Sequence, residues 1–218
     1  LALSACSPPE AILPGDRIAV FAGVDTISTD AAAFDEGAGL PAPSGLASAT
    51  HAGGSAAHAG GHLGLDLPLK KIWSVSIGGG GSNLVDLAQP VIDSGRVFAV
   101  TPLGQVTAID VQTGASIWSV SIESFADDPL PGIGGGVMVS GSQLFVHAGG
   151  HKLAALSVED GTSQWSIDLP LPIRGGPTAI DDQALVITDI DGNLMVLGME
   201  GGSLLWDRAG LRSSTIIY

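Results

Sequence analysis

From residue 65 onward, apolar and polar residues alternate in short runs, and glycine, aspartate or asparagine separates one run from the next. Runs of this kind predict short β-strands joined by tight turns. Three units with the same order of strands and turns can be aligned: about 90 to 122, 136 to 169, and 177 to about 208. Each unit is predicted to hold three strands, then a turn that ends in glycine, then a fourth strand.

The fourth predicted strand of each unit carries a tryptophan, and a glycine always precedes it by four residues. The pairs are Gly114 and Trp118, Gly161 and Trp165, and Gly202 and Trp206. Glycine adopts the positive φ that a tight hairpin needs without a Cβ clash. The indole is large enough to fill the space between neighbouring sheets. We therefore interpret both residue types as structural and not as ligand contacts.

A fourth tryptophan, Trp73, lacks the glycine but begins the run WSVSI, which recurs unchanged at 118–122. The four tryptophans are separated by 45, 47 and 41 residues. A repeat of roughly 40–50 residues with four strands per unit is typical of β-propeller blades. The sequence predicts an all-β fold, with about three four-stranded blades of a ring that needs roughly four to eight. The strand at 72–77 is predicted to complete a blade whose other strands lie beyond Tyr218.

The N-terminal part of the chain lacks this alternation. Residues 7–65 are rich in glycine, alanine and proline and contain few large apolar residues, so they cannot form a core of their own. We expect a flexible tether followed by a segment that wraps over the folded body or stays mobile. Residues 66–218 are the predicted partial propeller.

Cys6 is the single cysteine, so an internal disulfide is excluded. It follows Leu3-Ser4-Ala5, and small residues before a cysteine at the end of an apolar stretch are typical of a lipoprotein signal peptide. Residues 1–6 are therefore predicted to be the end of such a signal, and Cys6 the lipidation site. A buried structural cysteine is the alternative. No other stretch is long and apolar enough to predict a membrane span.

The chain is acidic, with 8 lysines and arginines against 22 aspartates and glutamates and a net charge of −14. This balance argues against nucleic acid and against a basic membrane-binding patch. We interpret the charge mainly as a source of solubility.

Two sequence patterns suggest metal sites, and each has a simpler structural interpretation. His51, His58 and His62 are spaced by seven and four residues, but the glycine-rich sequence between His58 and His62 disfavours the helix that would bring these two together. Residues 189–193, DIDGN, resemble a calcium loop, yet the glycine is fourth and not sixth, and no glutamate closes the loop. A hairpin turn is favoured there. His147 and His151 flank a predicted turn. No catalytic, metal or cofactor site is predicted.

Residues 108–118, AIDVQTGASIW, resemble the repeat of PQQ-type propellers, which is close to A-x-D-x-x-T-G-x-x-x-W. The second unit keeps Ala155, Gly161 and Trp165, and the third keeps Gly202 and Trp206. The resemblance implies PQQ-like blades, which are similar to WD-type blades. The repeat by itself does not distinguish quinone dehydrogenases from binding propellers.

Three further segments resemble the BamB family of outer-membrane lipoproteins in its alphaproteobacterial form. They are residues 12–18 (ILPGDRI), 58–63 (HAGGHL) and 68–73 (PLKKIW). The resemblance implies an eight-bladed ring without cofactor, anchored by acyl chains to the periplasmic face of the outer membrane. Its implied partners are BamA, the β-barrel assembly complex and, by edge pairing of strands, nascent outer-membrane proteins.

Residues 171–177, LPIRGGP, approximately match the segment through which BamB-like proteins contact BamA, roughly L-x-L-R-G-x-x-x-P. The resemblance implies that Leu171, Ile173 and Arg174 bind BamA from an inter-blade loop. Apolar side chains beside an arginine suit such an interface. An ordinary proline-rich connection is the alternative. The acidic contact that the family has in the next loop has no counterpart in residues 208–214.

The sequence thus predicts a non-enzymatic scaffold of outer-membrane protein assembly. Two alternatives remain open. One is a periplasmic PQQ-dependent dehydrogenase, which would need a calcium site and a catalytic carboxylate. The other is a lipid-anchored propeller that binds a different envelope partner, because blade repeats specify the ring and not its ligand.

Overall fold

A computed structural model describes residues 41–45, 47–78, 87–122 and 134–210. Cys6, the predicted signal segment 1–6 and the predicted tether up to residue 40 lie outside these ranges, as do residues 211–218. The chain divides into two compact units, Leu1–Pro41 and Ala42–Tyr218, and all strands described below belong to the second.

Twelve strands in the described ranges form three four-stranded antiparallel sheets, each in simple sequence order. The first sheet contains β1 (Val91–Asp93), β2 (Arg96–Val100), β3 (Gln105–Asp110) and β4 (Ser116–Ser121). The second contains β5 (Gly136–Ser140), β6 (Gln143–His147), β7 (Lys152–Ser157) and β8 (Ser163–Asp168). The third contains β9 (Ile173–Ala179), β10 (Ala184–Asp189), β11 (Leu194–Gly198) and β12 (Leu204–Arg208). The all-β class and the four-stranded units are confirmed.

The core lies between successive sheets. Phe98, Val106 and Leu144 belong to one buried cluster, which joins the first sheet to the second. Phe145 and Leu185 belong to another, which joins the second sheet to the third. The middle strands of each sheet are buried on both faces, so they read as nearly continuous apolar runs, whereas β4 and β8 alternate between exposed and half-buried positions. Stacked sheets of this kind are the blades of a propeller.

Trp73, Trp118 and Trp165 each donate a hydrogen bond to the turn of the following unit and not to the turn of their own. The indole Nε1–H of Trp118 donates a hydrogen bond to the Val158 carbonyl, 3.1 Å away in the second sheet's last turn. Trp118 also packs on Phe98 of its own sheet, with ring centroids 5.9 Å apart. Trp118 thus contacts both the first and the second sheet.

The repeat glycine does have positive φ, as predicted, but it has a second function. Gly161 has φ +76°, and a Cβ built there would lie 2.7 Å from Cε3 of Trp118. The same close approach of a glycine to the tryptophan of the preceding unit recurs at Gly114, which meets Trp73, and at Gly202, which meets Trp165. The glycine thus leaves room for the tryptophan of the preceding unit, in addition to allowing the tight turn.

Two sequence predictions differ from the structure. Residues 72–77 form no strand, although Trp73 docks on the first sheet and donates its Nε1–H to the Val111 carbonyl at 2.9 Å. The blade that this segment was expected to complete would involve residues outside the described ranges. The third unit begins at residue 173 and not at 177, because residues 175–177 form a bulge in β9 opposite a single residue of β10, Ile187.

Candidate functional site

Residues 171–177, for which the family resemblance implies contacts with BamA, follow β8 of the second sheet and run into β9 of the third. The N–H of Ile173 donates to the Gly150 carbonyl at 3.1 Å, in the turn between β6 and β7. The N–H of Ile190 donates to the Pro172 carbonyl at 3.0 Å, from the turn between β10 and β11. Residues 169–174 are thus fixed by the turns of two neighbouring sheets, which gives this surface a defined backbone.

Ile173 does not face solvent. Its side chain is 0% exposed and lies in the cluster that contains Phe145 and Leu185. It is already the first residue of β9, where it pairs with Asp189. The expectation that Leu171 and Ile173 are both presented by a loop is therefore wrong for Ile173, because strand pairing and core packing turn it inward.

Leu171 and Arg174 remain partly exposed at the boundary between the second and third sheets. The backbone of Arg174 is held in β9 by pairing with Thr188, whose hydroxyl donates to the Arg174 carbonyl at 2.9 Å. Within the described part of the chain, no hydrogen bond or ion pair of the Arg174 guanidinium is found. An apolar side chain and a cation on a rigid edge can contact a partner of acidic and apolar character.

The neighbouring acidic turn is closed by its own hydrogen bonds. Asp189 is buried, and its Oδ1 accepts from the N–H groups of Asp191 and Asn193, both at 2.9 Å. Its Oδ2 accepts from the Asn193 side-chain amide at 2.7 Å. The hairpin interpretation of residues 189–193 is confirmed by this geometry, since both carboxylate oxygens are used to hold the turn.

Two of the N-terminal histidines contact the third sheet. The Nε2 of His51 accepts from the Ala179 N–H at 3.1 Å, so its proton lies on Nδ1, which donates to the Thr50 hydroxyl at 2.8 Å. Burial lowers the pKa of His51, and the charge of the nearby His58 lowers it further. The Nε2 of His58 faces the Thr178 hydroxyl at 3.4 Å. Both rings act as polar anchors on β9.

A third histidine, His147, which was predicted from the sequence to flank a turn, lies between the second and third sheets. Its side chain is completely buried, its Nε2–H donates to the Gly175 carbonyl at 2.7 Å, and its Nδ1 accepts from the Gly149 N–H at 3.2 Å. Burial lowers the pKa of His147 to about 4, although the hydrogen bond to Gly175 acts in the opposite direction. The ring is neutral near pH 7 and links two sheets.

The space for this ring is provided by glycine. A Cβ at Gly136 would lie 2.6 Å from Nε2 of His147 and 2.6 Å from Cα of Gly176. The run of glycines at 134–136 is the signal that could have indicated a close approach of strands here. The sequence does not say which side chain uses that space.

The pattern of the chain matches one protein family. Residues 67–215 match the family model described as outer membrane protein assembly factor BamB. The chain belongs to the BamB family.

Two curated relatives carry the same family name. The chain is 28% identical over 143 residues to the outer membrane protein assembly factor BamB of Moranella endobia. This alignment covers 63% of this chain and 37% of that protein. It is 33% identical over 97 residues to BamB of Escherichia coli strain K12, which covers 43% of this chain and 24% of that protein. The chain thus spans 37% and 24% of the length of these two relatives.

Parts of two solved structures align with this chain. A BamB structure from Moraxella catarrhalis aligns over 54% of this chain and 35% of that one, with a TM-score of 0.45 and 25% identity. A quinohemoprotein alcohol dehydrogenase of Pseudomonas putida aligns over 58% of this chain and 22% of that one, with a TM-score of 0.51 and 22% identity. At this identity, the second likeness supports the blade architecture and nothing further.

The described ranges contain neither a metal-binding cluster nor a membrane-spanning helix. No group of three or more histidine, cysteine, aspartate or glutamate side chains is arranged there to hold a metal ion. No helix in those ranges has the length and hydrophobicity needed to cross a bilayer.

Proposed function

We propose that this BamB-family chain acts as a non-enzymatic scaffold in outer-membrane protein assembly, with BamA as its direct partner. The support is membership of a family named for that process, together with a fold in which turns of two neighbouring sheets fix the backbone of the connection between the second and third sheets. Such connections can present side chains to a partner without further ordering, which lowers the entropy cost of binding.

The contact surface that we propose consists of Leu171 and Arg174 at the boundary between the second and third sheets. Its support is that both side chains are partly exposed while the segment between them is pinned by the turns at Gly150 and Ile190. Ile173, which the family resemblance also implied, supports this surface from below as a core residue. Burial of an arginine at the centre of an interface is a common origin of binding energy, and a neighbouring apolar side chain helps to exclude water from the contact.

The proposal is tested by reversing one charge. In the full-length lipoprotein, Arg174→Glu is expected to reduce the recovery of BamA in a crosslinked pull-down from outer membranes about tenfold or more, because a buried arginine contact is replaced by a like or unpaired charge. Far-ultraviolet circular dichroism of the variant should be unchanged, since the side chain is not in the core.

Arg208→Glu is the matched control, because Arg208 is an exposed arginine at the end of β12 in the same sheet. A specific contact predicts that Arg174→Glu lowers recovery of BamA while Arg208→Glu does not. Equal recovery with wild type and both variants would show that this surface is not the contact. Equal loss with both would indicate a general charge effect and would also reject it.

The membrane anchor completes the proposal. Cys6 is proposed as the lipid-bearing residue that holds the protein on the periplasmic face of the outer membrane, on the support of the small residues that precede it. Cys6→Ser in a full-length precursor should move the protein from the membrane fraction to the soluble periplasmic fraction. Retention in the membrane fraction would argue against the anchor.

A further inference from the structure

Residues 49–58, which we call the inner strap, contact the first strand of all three sheets. Ala49 forms an antiparallel bridge with Ile92 of β1, with N–H to carbonyl distances of 2.7 and 2.8 Å. The next carbonyl, that of Thr50, accepts from the Val139 N–H of β5 at 2.9 Å. The strap then reaches β9 of the third sheet through His51.

The strap uses backbone groups that the sheets themselves leave free. β1, β5 and β9 are each the first strand of a sheet, so one edge of each has no partner within that sheet. β5 lies in contact with both β1 and β9, which brings the three free edges side by side. Pairing an extended segment with a free edge is the mode by which proteins bind peptides through strand addition.

Contacts to side chains fix the register of the strap. The Ala179 N–H of β9 donates to Nε2 of His51 at 3.1 Å, in the place where a strand partner would offer a carbonyl. The strap N–H of Gly53 donates to the side-chain oxygen of Gln89 at 3.2 Å. His58 closes the far end by donating from Nδ1 to the Ala52 carbonyl at 2.8 Å.

The strap buries little apolar surface. Its sequence is ATHAGGSAAH, and His51 is its single fully buried side chain. A segment held by apolar packing would bury large side chains in the core clusters, and none of its residues belongs to them. The strap is therefore held mainly by hydrogen bonds, which contribute about 0.5–1.5 kcal/mol each and can be replaced by those of another extended chain.

We propose that the free edges of β1, β5 and β9 form a binding groove for an extended peptide, and that the inner strap is its built-in occupant. The groove takes a segment with small side chains at the positions of Ala49 and Thr50, followed by a side chain that can accept a hydrogen bond at the position of His51. Simple departure of the strap would remove the acceptors of the Ile92, Val139 and Ala179 N–H groups, and this is most costly at Val139, which is buried. Exchange for a second peptide is thus favoured over an empty groove.

The test compares His51→Gln with His51→Leu in the full 218-residue chain. Glutamine offers an oxygen near the position of Nε2, whereas leucine has a similar size and no acceptor. The probe is a fluorescently labelled synthetic peptide of residues 47–60, measured by fluorescence anisotropy. His51→Leu is expected to bind it about tenfold more tightly than wild type, because the resident strap is weakened by about one hydrogen bond. His51→Gln should stay near wild type.

Hydrogen exchange supplies a second readout. In His51→Leu, the amides of Ile92, Val139 and Ala179 should exchange faster, while the core amides of β6 and β7 keep their protection. Adding the unlabelled peptide should restore protection at the three edge amides.

Ala49→Pro removes the N–H that donates to Ile92 and is the second variant, in case the leucine perturbs the core. Absence of peptide binding with unchanged edge protection in both variants would overturn the proposal. Simultaneous loss of edge and core protection in both would overturn it too, because the strap would then be inseparable from the fold.

Discussion

The indole of Trp118 in the first sheet and the backbone of Gly161 in the second lie in direct contact, so that a Cβ at Gly161 would sit 2.7 Å from the ring. Three residues before that glycine, the Val158 carbonyl accepts the indole N–H. Trp165 makes the same pair of contacts one sheet further on, with Gly202 and with the Met199 carbonyl at 2.8 Å. The repeated tryptophan and glycine therefore form the contact between successive sheets.

This contact predicts that Gly161→Ala is unusually destabilising. The substitution imposes a positive φ on a residue with a Cβ, and it also forces that Cβ into the Trp118 ring. We expect a loss of about 3 kcal/mol in the free energy of unfolding, measured by urea denaturation followed through tryptophan fluorescence.

Gly141→Ala is the control for the backbone contribution. Gly141 also has positive φ, +57°, but nothing lies within 4 Å of a Cβ built there. We expect a loss of about 1 kcal/mol. Equal losses at the two positions would show that the tryptophan contact adds nothing to the cost.

The hydrogen-bonded end of the indole gives a second prediction. Trp118→Phe keeps an aromatic ring but removes the donor to Val158, so the unfolding free energy should fall by about 1–2 kcal/mol. Trp206 occupies the equivalent position in the third sheet but is 49% exposed. Trp206→Phe in this chain should therefore change the free energy of unfolding by less than about 0.5 kcal/mol. Similar losses for the two variants would contradict the proposed energetic difference.

A third prediction concerns the turn closed by Asp189. Asp189→Asn places an amide where Oδ2 accepts from Asn193 at 2.7 Å, so that two donors face each other in a buried site. We expect a loss of about 1–3 kcal/mol in thermal or urea unfolding. Asp191→Asn, at an exposed position in the same turn, should be nearly neutral. Equal effects would mean that the buried hydrogen bonds are not what stabilises this turn.

The three sheets could be predicted from sequence because the same residue types recur in register. Alternating apolar runs gave the strands, and the glycine and tryptophan spacing gave the unit length. The partner of each tryptophan could not be obtained in this way. Gly114 and Trp118 are only four residues apart, yet they do not contact each other in this way. Gly114 contacts Trp73, and Trp118 contacts Gly161, because the stacking of the sheets determines these contacts.

The errors in the candidate surface have a local origin. Pro172 and Pro177 around two glycines read as a loop, so Ile173 was expected to be exposed. In the structure, Gly175 has φ +80° and lies with Pro177 in the bulge of β9, and the strand continues on both sides. Turn-forming residues thus mark a bulge as well as a loop. Only pairing with β10 distinguishes the two.

The buried ring of His147 could not have been recognised from sequence either, and it predicts a dependence of stability on pH. Its pKa of about 4 in the folded chain is below the ordinary value of 6.5, so between these values the unfolded chain binds more protons than the folded one. The stabilisation of the folded chain by the neutral His147 ring is complete above pH 6.5 and is lost as the pH falls toward 4. From pH 7.5 to pH 5, His147 should account for a loss of about 2 kcal/mol in the free energy of unfolding.

His147→Gln isolates this contribution, because glutamine can donate to the Gly175 carbonyl but does not titrate. Urea denaturation at pH 7.5 and pH 5 should therefore show a smaller loss for the variant than for wild type. The pH dependence of stability that remains in the variant is expected to come from His51, whose pKa is also lowered. The window avoids Asp110, because the Thr113 hydroxyl and N–H groups that bind its carboxylate hold its pKa below the ordinary value. The same pH dependence in the variant and in wild type would show that the imidazole between the sheets is not the titrating group.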